Sequence, residues 1–180
     1  MDVIYKIAEN NAEKDAAKNL IEQVFIQELG YTKMLSDKFD SIAIFLVATC
    51  NGHIIAALRL IPDSELELPL DNHIDLTGLR NESIKLAELS RLACLQDFRN
   101  NHVAINGLRF LMINLFDMGI SHVVIDSFLH SARLYKRLGF KPLGKPIFDP
   151  TIYKEGDNPG VPNSLVMYAK VQDLNKKNNK

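Results

Sequence analysis

Polar side chains interrupt the apolar segment LAELSRLACL, residues 86–95. Glu88, Ser90 and Arg91 lie there among leucines and alanines that are typical of a protein core. Burying a carboxylate or a guanidinium without a partner is costly, so these groups need partners. From the residues alone, a structural ion pair of Glu88 with Arg59 or Arg91 is favoured. The other interpretation is a proton-accepting Glu whose pKa is raised by burial.

The dipeptide Asn51-Gly52 is the strongest local structural signal in the chain. Both central positions of a two-residue hairpin turn need a positive φ, which Asn and Gly tolerate. The flanking segments 42–50 and 53–61 are apolar and strand-like. The sequence therefore predicts an antiparallel hairpin that ends at Pro62.

The remaining elements follow from apolar periodicity and from glycine stops. We predict strands over 3–8, 84–94, HVVIDSF, the segment from Phe140, and SLVMYAKV. We predict helices from an Asn11 cap to 29, over 102–119, and over SARLYKRL. The chain over 62–83 and 145–163 is predicted to be irregular. Helices alternate with strands late in the chain, whereas an antiparallel hairpin comes early. That order predicts a mixed, twisted sheet with helices on its faces.

The composition is ordinary for a globular chain: of 180 residues, 47% are hydrophobic and 24% are charged, and the formal net charge is −1. Such a charge gives no general attraction to nucleic acid or to anionic membranes. The length favours one domain, 1–172, with a flexible tail, 173–180. The amino terminus has no signal-peptide pattern, no stretch is long enough to span a membrane, and Cys50 and Cys94 lie in apolar segments. We expect a cytoplasmic protein with buried thiols and no metal.

SARLYKRLGF, which follows a predicted strand, resembles the A-x-x-L-Y-x-x-x-G-F motif of the GNAT acyltransferase superfamily. Ala132, Leu134, Tyr135, Gly139 and Phe140 occupy the motif positions. In that superfamily the motif marks the helix and strand beside the acyl-thioester site. The resemblance implies an α/β (α+β) fold, a GNAT-like mixed twisted sheet of about seven strands with helices on both faces.

A closer resemblance, covering most of the chain, is to the acyl-homoserine-lactone synthases and the related N-acyl amino acid synthases. QVFIQELGY, DKFD, GHIIAALRLIP and ELSRLACL occur in the order typical of those enzymes. The segment from Arg59 to Pro62 is similar to their Arg-Leu-Leu-Pro, and Glu88, Ser90 and Arg91 match their Glu-x-Ser-Arg. The resemblance implies transfer of a long acyl group from acyl carrier protein to an amine.

Two departures separate the chain from the lactone synthases. Those enzymes carry an Arg in the first helix just before Val-Phe, where this sequence has Leu20-Ile21-Glu22-Gln23. They also carry a Trp where this sequence has Tyr31. The departures argue against S-adenosylmethionine binding and favour an N-acyl product other than a homoserine lactone.

Aminolysis of a thioester needs a base for the amine, a donor for the oxyanion and a proton for the leaving thiolate. The resemblance implies that Glu88 is the base, directly or through a water molecule, with a pKa tuned toward about 6–7. GNAT enzymes bulge on this strand, which would make a backbone N–H of Leu92, Ala93 or Cys94 the oxyanion donor. Tyr135 matches the Tyr that protonates the thiolate in many GNAT enzymes. The alternative is that the Tyr135 ring only packs beneath the helix and has no chemical role.

Arg59, Ser90 and Arg91 are the implied substrate-binding residues. A planar guanidinium suits a carboxylate of the acceptor in a bidentate pair. Strand alternation places Glu88 and Ser90 on one face and Arg91 on the other, unless the strand bulges. The alternative is a pair of arginines on the solvent face of a half-exposed strand.

The run from Arg99 to Ala104 matches the turn with which acetyl-CoA-dependent GNAT enzymes hold a pyrophosphate at a helix amino terminus. His102 stands where Gly would allow close backbone approach. The run therefore suits the single phosphate of phosphopantetheine on a carrier protein better than CoA. The candidate phosphate-binding residues are Arg99, Asn101, His102, Val103 and Ala104.

Residues 131–146 contain five basic side chains and no acid: Arg133, Lys136, Arg137, Lys141 and Lys145. Acyl carrier proteins are strongly acidic, so these residues form a candidate carrier-docking surface. An ordinary solvated helix face is the alternative. The acidic segment 63–75 either covers the acceptor site or is a surface loop.

The favoured function is an N-acyltransferase that moves an acyl group from a thioester, on acyl carrier protein or CoA, to an amino acid-like amine. One alternative is an acetyl-CoA-dependent GNAT N-acetyltransferase. Another is a catalytically silent acyl-binding module that keeps the fold.

Overall fold

The computed structural model describes residues 1–31, 37–152, 154, 156, 158 and 160–178. Within them one mixed sheet of seven strands carries helices on both faces, which confirms the predicted fold class. The strands are β1 (Val3–Ile7), β2 (Ile44–Cys50), β3 (His53–Pro62), β4 (Leu86–Cys94), β5 (His122–Phe128), β6 (Lys141–Pro142) and β7 (Ser164–Lys170). The α-helices are α1 (Asn11–Glu22), α2 (Val103–Leu115), α3 (Ala132–Leu138) and α4 (Val171–Asn178).

The sheet separates into two halves between β4 and β5. The strand order is β1-β2-β3-β4-β5-β7-β6, and β4 and β5 are its parallel neighbours. These two strands pair only from Leu86 with His122 to Leu89 with Ile125. Beyond that point β4 stays paired with β3 and β5 stays paired with β7. A gap therefore opens in the middle of the sheet.

The two faces of the sheet bury different helices. Helix α1 and the segment between β3 and β4 cover one face, and α2, α3 and α4 cover the other. Apolar residues at helical spacing, such as Ala17, Leu20 and Ile21, form the buried stripe of α1. None of the helices in the described residues combines the length and apolar character needed to cross a bilayer.

The hairpin between β2 and β3 forms as predicted. Asn51 and Gly52 have φ angles of 50° and 79° and occupy the turn. Pro62 is the last residue of β3, where a missing N–H is tolerated.

The first helix differs from its prediction at both ends. The cap is Asn10, not Asn11, because the Asn10 Oδ1 atom accepts the Glu13 N–H at 3.0 Å. Helix α1 ends at Glu22, and the chain continues as a π-helix, Gln23–Glu28. Wider i to i+5 hydrogen bonds form there, so the apolar residues of this turn still reach the sheet.

The carboxyl-terminal segment begins as a helix that packs on the domain. Helix α4 begins at Val171, and Leu174 is fully buried against the face that α2 covers. The apolar side chain of Leu174 holds the start of the expected tail on the domain, and residues 179–180 lie outside the described residues. The division into a domain, 1–172, and a tail, 173–180, stays a prediction.

Candidate active site

A cavity of about 490 Å³ lies where β4 and β5 separate. Its volume is in the range of sites for drug-sized ligands. Apolar side chains from both faces of the sheet line part of it, among them Phe25, Leu58, Leu108 and Ile125. The remaining wall is polar and contains the candidate catalytic and substrate-binding residues Glu88, Tyr135, Arg59, Ser90 and Arg91.

Strand β4 bulges beside this cavity. Arg91 and Leu92 together lie opposite a single residue of β3, Leu58. Arg91 has a φ of 54°, in the left-handed region that L-residues rarely adopt. The bulge removes the regular alternation that would have directed Arg91 to the opposite face. Leu92 lines the cavity, whereas Ala93 and Cys94, the other two candidate oxyanion donors, do not.

Glu88 is a cavity-lining carboxyl that is only 4% exposed. One of its oxygens accepts the Leu70 N–H at 2.9 Å. No ion pair joins Glu88 to Arg59 or to Arg91, so the favoured structural alternative is wrong in that form. Burial raises the pKa of Glu88 to about 8, against the opposing effects of the Leu70 N–H and the Arg59 charge. The group therefore holds a proton at neutral pH.

Both arginines of the predicted acceptor site are held by aspartates. Arg59 Nη1 lies 2.8 Å from Asp37 and 2.7 Å from Asp40, and Arg59 Nε donates to the Ser90 hydroxyl at 3.0 Å. Arg91 Nη2 lies 2.5 Å from Asp37. Arg59 is 2% exposed, so the solvent-face alternative is wrong for it. Burial and the neighbouring Arg59 lower the pKa of Arg91 to about 10.

These contacts balance two guanidinium groups with two carboxylates. Asp37 and Asp40 belong to the DKFD run, and Asp37 also accepts the Phe39 N–H at 3.0 Å. The arginine pair is thus a structural part of the cavity wall. Binding of an acceptor carboxylate by Arg59, Ser90 and Arg91 stays a prediction.

Tyr135 lies on α3 and lines the cavity. Its ring packs edge-on against Phe140, with 5.7 Å between centroids. Burial raises the pKa of Tyr135 to about 12, so the phenol stays protonated. A protonated phenol at this wall can donate a proton to a leaving group.

The candidate phosphate-binding run spans the amino terminus of α2, as its pattern predicts, with Val103 and Ala104 inside the helix. His102 has a φ of 59°, the left-handed conformation for which Gly is best suited. The Arg99 guanidinium pairs with Glu28 of the π-helix and donates from Nε to the Cys94 carbonyl at 3.0 Å. None of Arg99, Asn101, His102, Val103 and Ala104 lines the cavity.

The five basic residues of the candidate docking surface are all exposed. They come from α3, from β6 and from the chain after it: Arg133, Lys136, Arg137, Lys141 and Lys145. Within the described part of the chain, no ion pair neutralises any of them. The surface lies on the helix that also presents Tyr135 to the cavity.

The segment between β3 and β4 covers one side of the cavity. Leu70 and His73 line the cavity from this segment. Arg80 holds the segment in shape through Asp63 at 2.6 Å and Asp71 at 2.5 Å. Asp63 and Asp71 thus stabilise the segment between β3 and β4 through their ion pairs with Arg80.

The sequence reasoning missed several polar cavity residues, among them the titratable side chains of Asp126 on β5, Asp149 and His73. Asp126 carries the same signal as Glu88, an acid within an apolar strand. The positions of Asp149 and His73 depend on irregular segments, so the sequence holds no signal for them. No group of three or more His, Cys, Asp or Glu residues in the described ranges has the arrangement of a metal site.

Comparisons with known proteins agree with this fold. The profile of the family described as N-acyl amino acid synthase FeeM matches residues 16–165. The comparison with curated proteins gives no match. The structure of FeeM, an N-acyl amino acid synthase from uncultured soil microbes, is similar with a TM-score of 0.80 and 17% identity, over 98% of this chain and 94% of that one.

Two further solved structures show the same architecture. BjaI, a CoA-dependent acyl-homoserine lactone synthase solved with SAM and isopentyl-CoA, has a TM-score of 0.73 and 14% identity over 99% of this chain and 89% of its own. An acyl-CoA N-acyltransferase from Pseudomonas aeruginosa has a TM-score of 0.68 and 16% identity, over 93% of this chain and 99% of its own. At these identities the likeness establishes the fold.

Proposed function

Since the chain belongs to the N-acyl amino acid synthase FeeM family and is an acyltransferase, we propose that it moves a medium or long acyl group from a thioester to an amino acid-like amine. The observation that carries the proposal is the position of Glu88. This buried carboxyl lines the cavity at the split of the sheet, beside the bulge that includes Leu92. Glu88, as the proton acceptor, and the bulge with its candidate backbone donor thus lie at the same cavity.

Glu88 accepts a proton from the attacking amine, directly or through a water molecule. Deprotonated Glu88 is a strong base for this purpose, because a carboxylate with a pKa of about 8 is far more basic than an exposed one. The Leu70 N–H fixes its orientation.

The Leu92 N–H stabilises the oxyanion. Every second residue of an antiparallel strand directs its N–H toward the same neighbour. The Leu95 N–H donates to the Ile55 carbonyl of β3 at 3.0 Å, so Ala93 faces β3 as well. Counted back from Ala93, alternation assigns the Leu92 N–H to the gap beside the cavity that Leu92 lines, although Leu92 itself belongs to the bulge. Tyr135 gives its proton to the departing thiolate.

Acyl carrier protein is the proposed donor. The exposed bases of α3 and β6 suit an acidic partner, and a carrier's phosphopantetheine has no pyrophosphate to place. His102 supports this choice because its side chain occupies the position at which Gly would admit a pyrophosphate. The cavity volume, far larger than an acetyl group needs, supports a longer acyl chain.

Acyl transfer with defined donors tests this function. Purified protein is incubated with a panel of amino acids and amines and with matched acyl groups on acyl carrier protein or on CoA, and products are identified by mass spectrometry. We expect an N-acyl product, formed more efficiently from the carrier. Acyl-CoA is the competing donor, since BjaI is CoA-dependent. Absence of any N-acyl product from either donor would overturn the proposal and favour a silent acyl-binding module.

A further inference from the structure

We infer that Asp126, supported by Ser164 and Asp149, forms a binding site for the protonated amine of the acceptor, an organic ammonium group. This inference rests on the proposed function and adds to it the charge state in which the acceptor enters. It also assigns the polar group that first holds the reacting nitrogen.

The polar atoms at this site lack partners. Neither carboxylate oxygen of Asp126 has a hydrogen-bond partner in the described residues, although both oxygens are shielded from solvent. The hydroxyl of Ser164, a residue that is 0% exposed, is also unpartnered there and lies beside Asp126. Buried polar groups are almost always hydrogen-bonded, so the two unpartnered carboxylate oxygens of Asp126 indicate a missing donor.

A primary ammonium group has the matching chemistry. It carries three N–H donors, no acceptor and one positive charge. Two carboxylate oxygens and one hydroxyl oxygen provide three acceptors, and the carboxylate provides the charge. Asp126 lines the cavity and Ser164 does not, so a ligand in the cavity meets Asp126 first and must displace the atoms that shield its oxygens.

The charge distribution of the cavity supports a cation at this wall. The guanidinium groups of Arg59 and Arg91 are balanced by Asp37 and Asp40. Since Glu88 holds a proton at neutral pH, Asp126 and Asp149 are the acids of the described wall that no arginine balances.

Asp149 lies close enough to Asp126 to influence its charge, and it is held in place. Its oxygens accept the N–H and the hydroxyl of Thr151, each at 2.7 Å. His73 Nε2 lies 3.8 Å from Asp149, beyond hydrogen-bond distance. Burial raises the pKa of Asp126 above its ordinary value, and the neighbouring Asp149 raises it further. A bound cation relieves this repulsion.

The position along the strands fits the reaction. Glu88 lies opposite Val124, and Asp126 follows two residues later on the same face of β5. Asp126 therefore lies just beyond the last pair of β4 and β5, where the gap opens. An amine released from Asp126 is beside Glu88 and the bulge of β4.

The proton balance is complete with these groups. One proton of the ammonium passes to Asp126 and later to solvent, which leaves a neutral amine. The amine nitrogen forms the C–N bond, and Glu88 takes a second proton. The C–S bond then breaks, the thiolate takes the Tyr135 proton, and the proton on Glu88 restores the phenol. The third proton stays on the amide.

The test compares wild type with Asp126→Asn and with Asp117→Asn, an exposed control. Without donor, melting temperatures are measured at constant ionic strength with n-butylammonium chloride, sodium butyrate or n-butanol. With acyl carrier protein as donor, KM for the amine acceptor is measured separately from KM for the donor.

We expect butylammonium alone to raise the melting temperature of wild type and of the control, but not of Asp126→Asn. We also expect Asp126→Asn to raise the acceptor KM by about 10- to 100-fold at unchanged donor KM. The site is overturned if butylammonium does not raise the melting temperature of wild type, or if it raises that of Asp126→Asn equally. An unchanged acceptor KM overturns it as well.

These measurements distinguish failure of the ammonium site from failure of the proposed acyl-transfer function. Butylammonium binding that depends on Asp126, without any N-acyl product, supports the site and overturns the function. N-acyl product with an acceptor KM that is indifferent to Asp126 supports the function and overturns the site. If Asp126→Asn folds poorly, Ser164→Ala repeats the test, because its hydroxyl has no partner to lose among the described residues. An unaltered response to butylammonium in that variant would count against the site.

Discussion

Glu88 shows how burial prepares a side chain for chemistry. A carboxyl that is 4% exposed loses most of the water that stabilises its charge, which is the main cause of its raised pKa. A single N–H, from Leu70, compensates it. The fold therefore stores unfavourable free energy in the charged form of Glu88. Proton transfer from a substrate becomes correspondingly easier.

This stored free energy gives a pH-dependent stability. The pKa of Glu88 is about 8 in the folded protein and near 4.5 when exposed. Unfolding releases its proton between these values, so the free energy of unfolding of wild type falls as pH rises there, by at most about 1.4 kcal/mol per pH unit. Glu88→Gln lacks this contribution, so its free energy of unfolding rises relative to that of wild type between about pH 5 and about pH 8. Urea denaturation at several pH values measures the difference.

The control for this experiment is Glu82→Gln, which removes an exposed carboxyl. Its stability should follow the wild-type pH dependence throughout. Parallel curves for wild type and Glu88→Gln would show that Glu88 is ionised like an exposed acid, and the assigned pKa would be wrong.

The Asp37 bridge should be a large contributor to stability. Asp37 joins Arg59 and Arg91, and Arg59 is almost fully buried. Asp37→Asn leaves two guanidinium groups with one shared carboxylate, so we expect a loss of about 3 kcal/mol in the free energy of unfolding. Asp15→Asn is the matched control, because Asp15 is 63% exposed in its pair with Lys18. We expect that control to cost under about 0.5 kcal/mol, and equal losses would contradict the structural role of the bridge.

Sequence reasoning identified Glu88 but not its surroundings. The apolar context of Glu88 predicted burial, and the raised pKa follows from burial. The identity of the partner did not follow, because Leu70 comes from an irregular segment whose path no pattern specifies. Asp126 carried the same signal as Glu88, and only its neighbours Asp149 and Ser164 show its importance.

Among the secondary-structure elements, β4 and β5 determine the site. Their parallel pairing ends at Leu89 and Ile125, and the bulge at Arg91 turns β4 away. The apolar character of both segments predicted both strands, but not the end of their pairing. A bulge depends on the competition of two neighbouring strands for hydrogen bonds, which is a tertiary effect.

The residue before α2 offers a test at the level of one element. His102 has a φ of 59° and makes no side-chain cap, so His102→Gly should raise the free energy of unfolding by about 1 kcal/mol. His53→Gly is the matched control, because His53 is also exposed but begins β3 outside the left-handed region. We expect the control to lower stability by about 0.5–1 kcal/mol. Thermal and urea unfolding measure both, and a loss of stability in His102→Gly would contradict the assigned strain.

Across the whole molecule, the small net charge hides an uneven distribution of acidic and basic residues. The formal charge of −1 predicts no general affinity for an acidic partner. Several acids are paired within the structure, at Asp37, Asp63 and Asp71 for example, whereas the bases of α3 and β6 are exposed. The molecule thus presents a basic surface close to its cavity.

Charge reversal tests this surface. The double substitution Lys136→Glu and Arg137→Glu should raise KM for acyl carrier protein by about 10-fold or more, because it replaces attraction by repulsion. KM for the same acyl group on CoA should change far less, and added salt should reduce the difference. Lys170→Glu, at an exposed base on β7, is the control and should leave both values unchanged. Equal changes for carrier and CoA donors would argue against carrier docking at this surface.

The rate of N-acyl product formation against pH, in wild type and in Glu88→Gln, tests the central claim most directly. Mass spectrometry measures the product at saturating donor and acceptor from about pH 6 to about pH 9, with Glu82→Gln as the control. Because Glu88 must lose its proton to act, the wild-type rate should rise up to a pH of about 8 and then level off. Glu88→Gln should be slower by about 10²–10⁴-fold and should lack this rise. A Glu88→Gln variant that keeps the wild-type rate and pH profile would contradict acyl transfer with Glu88 as the base.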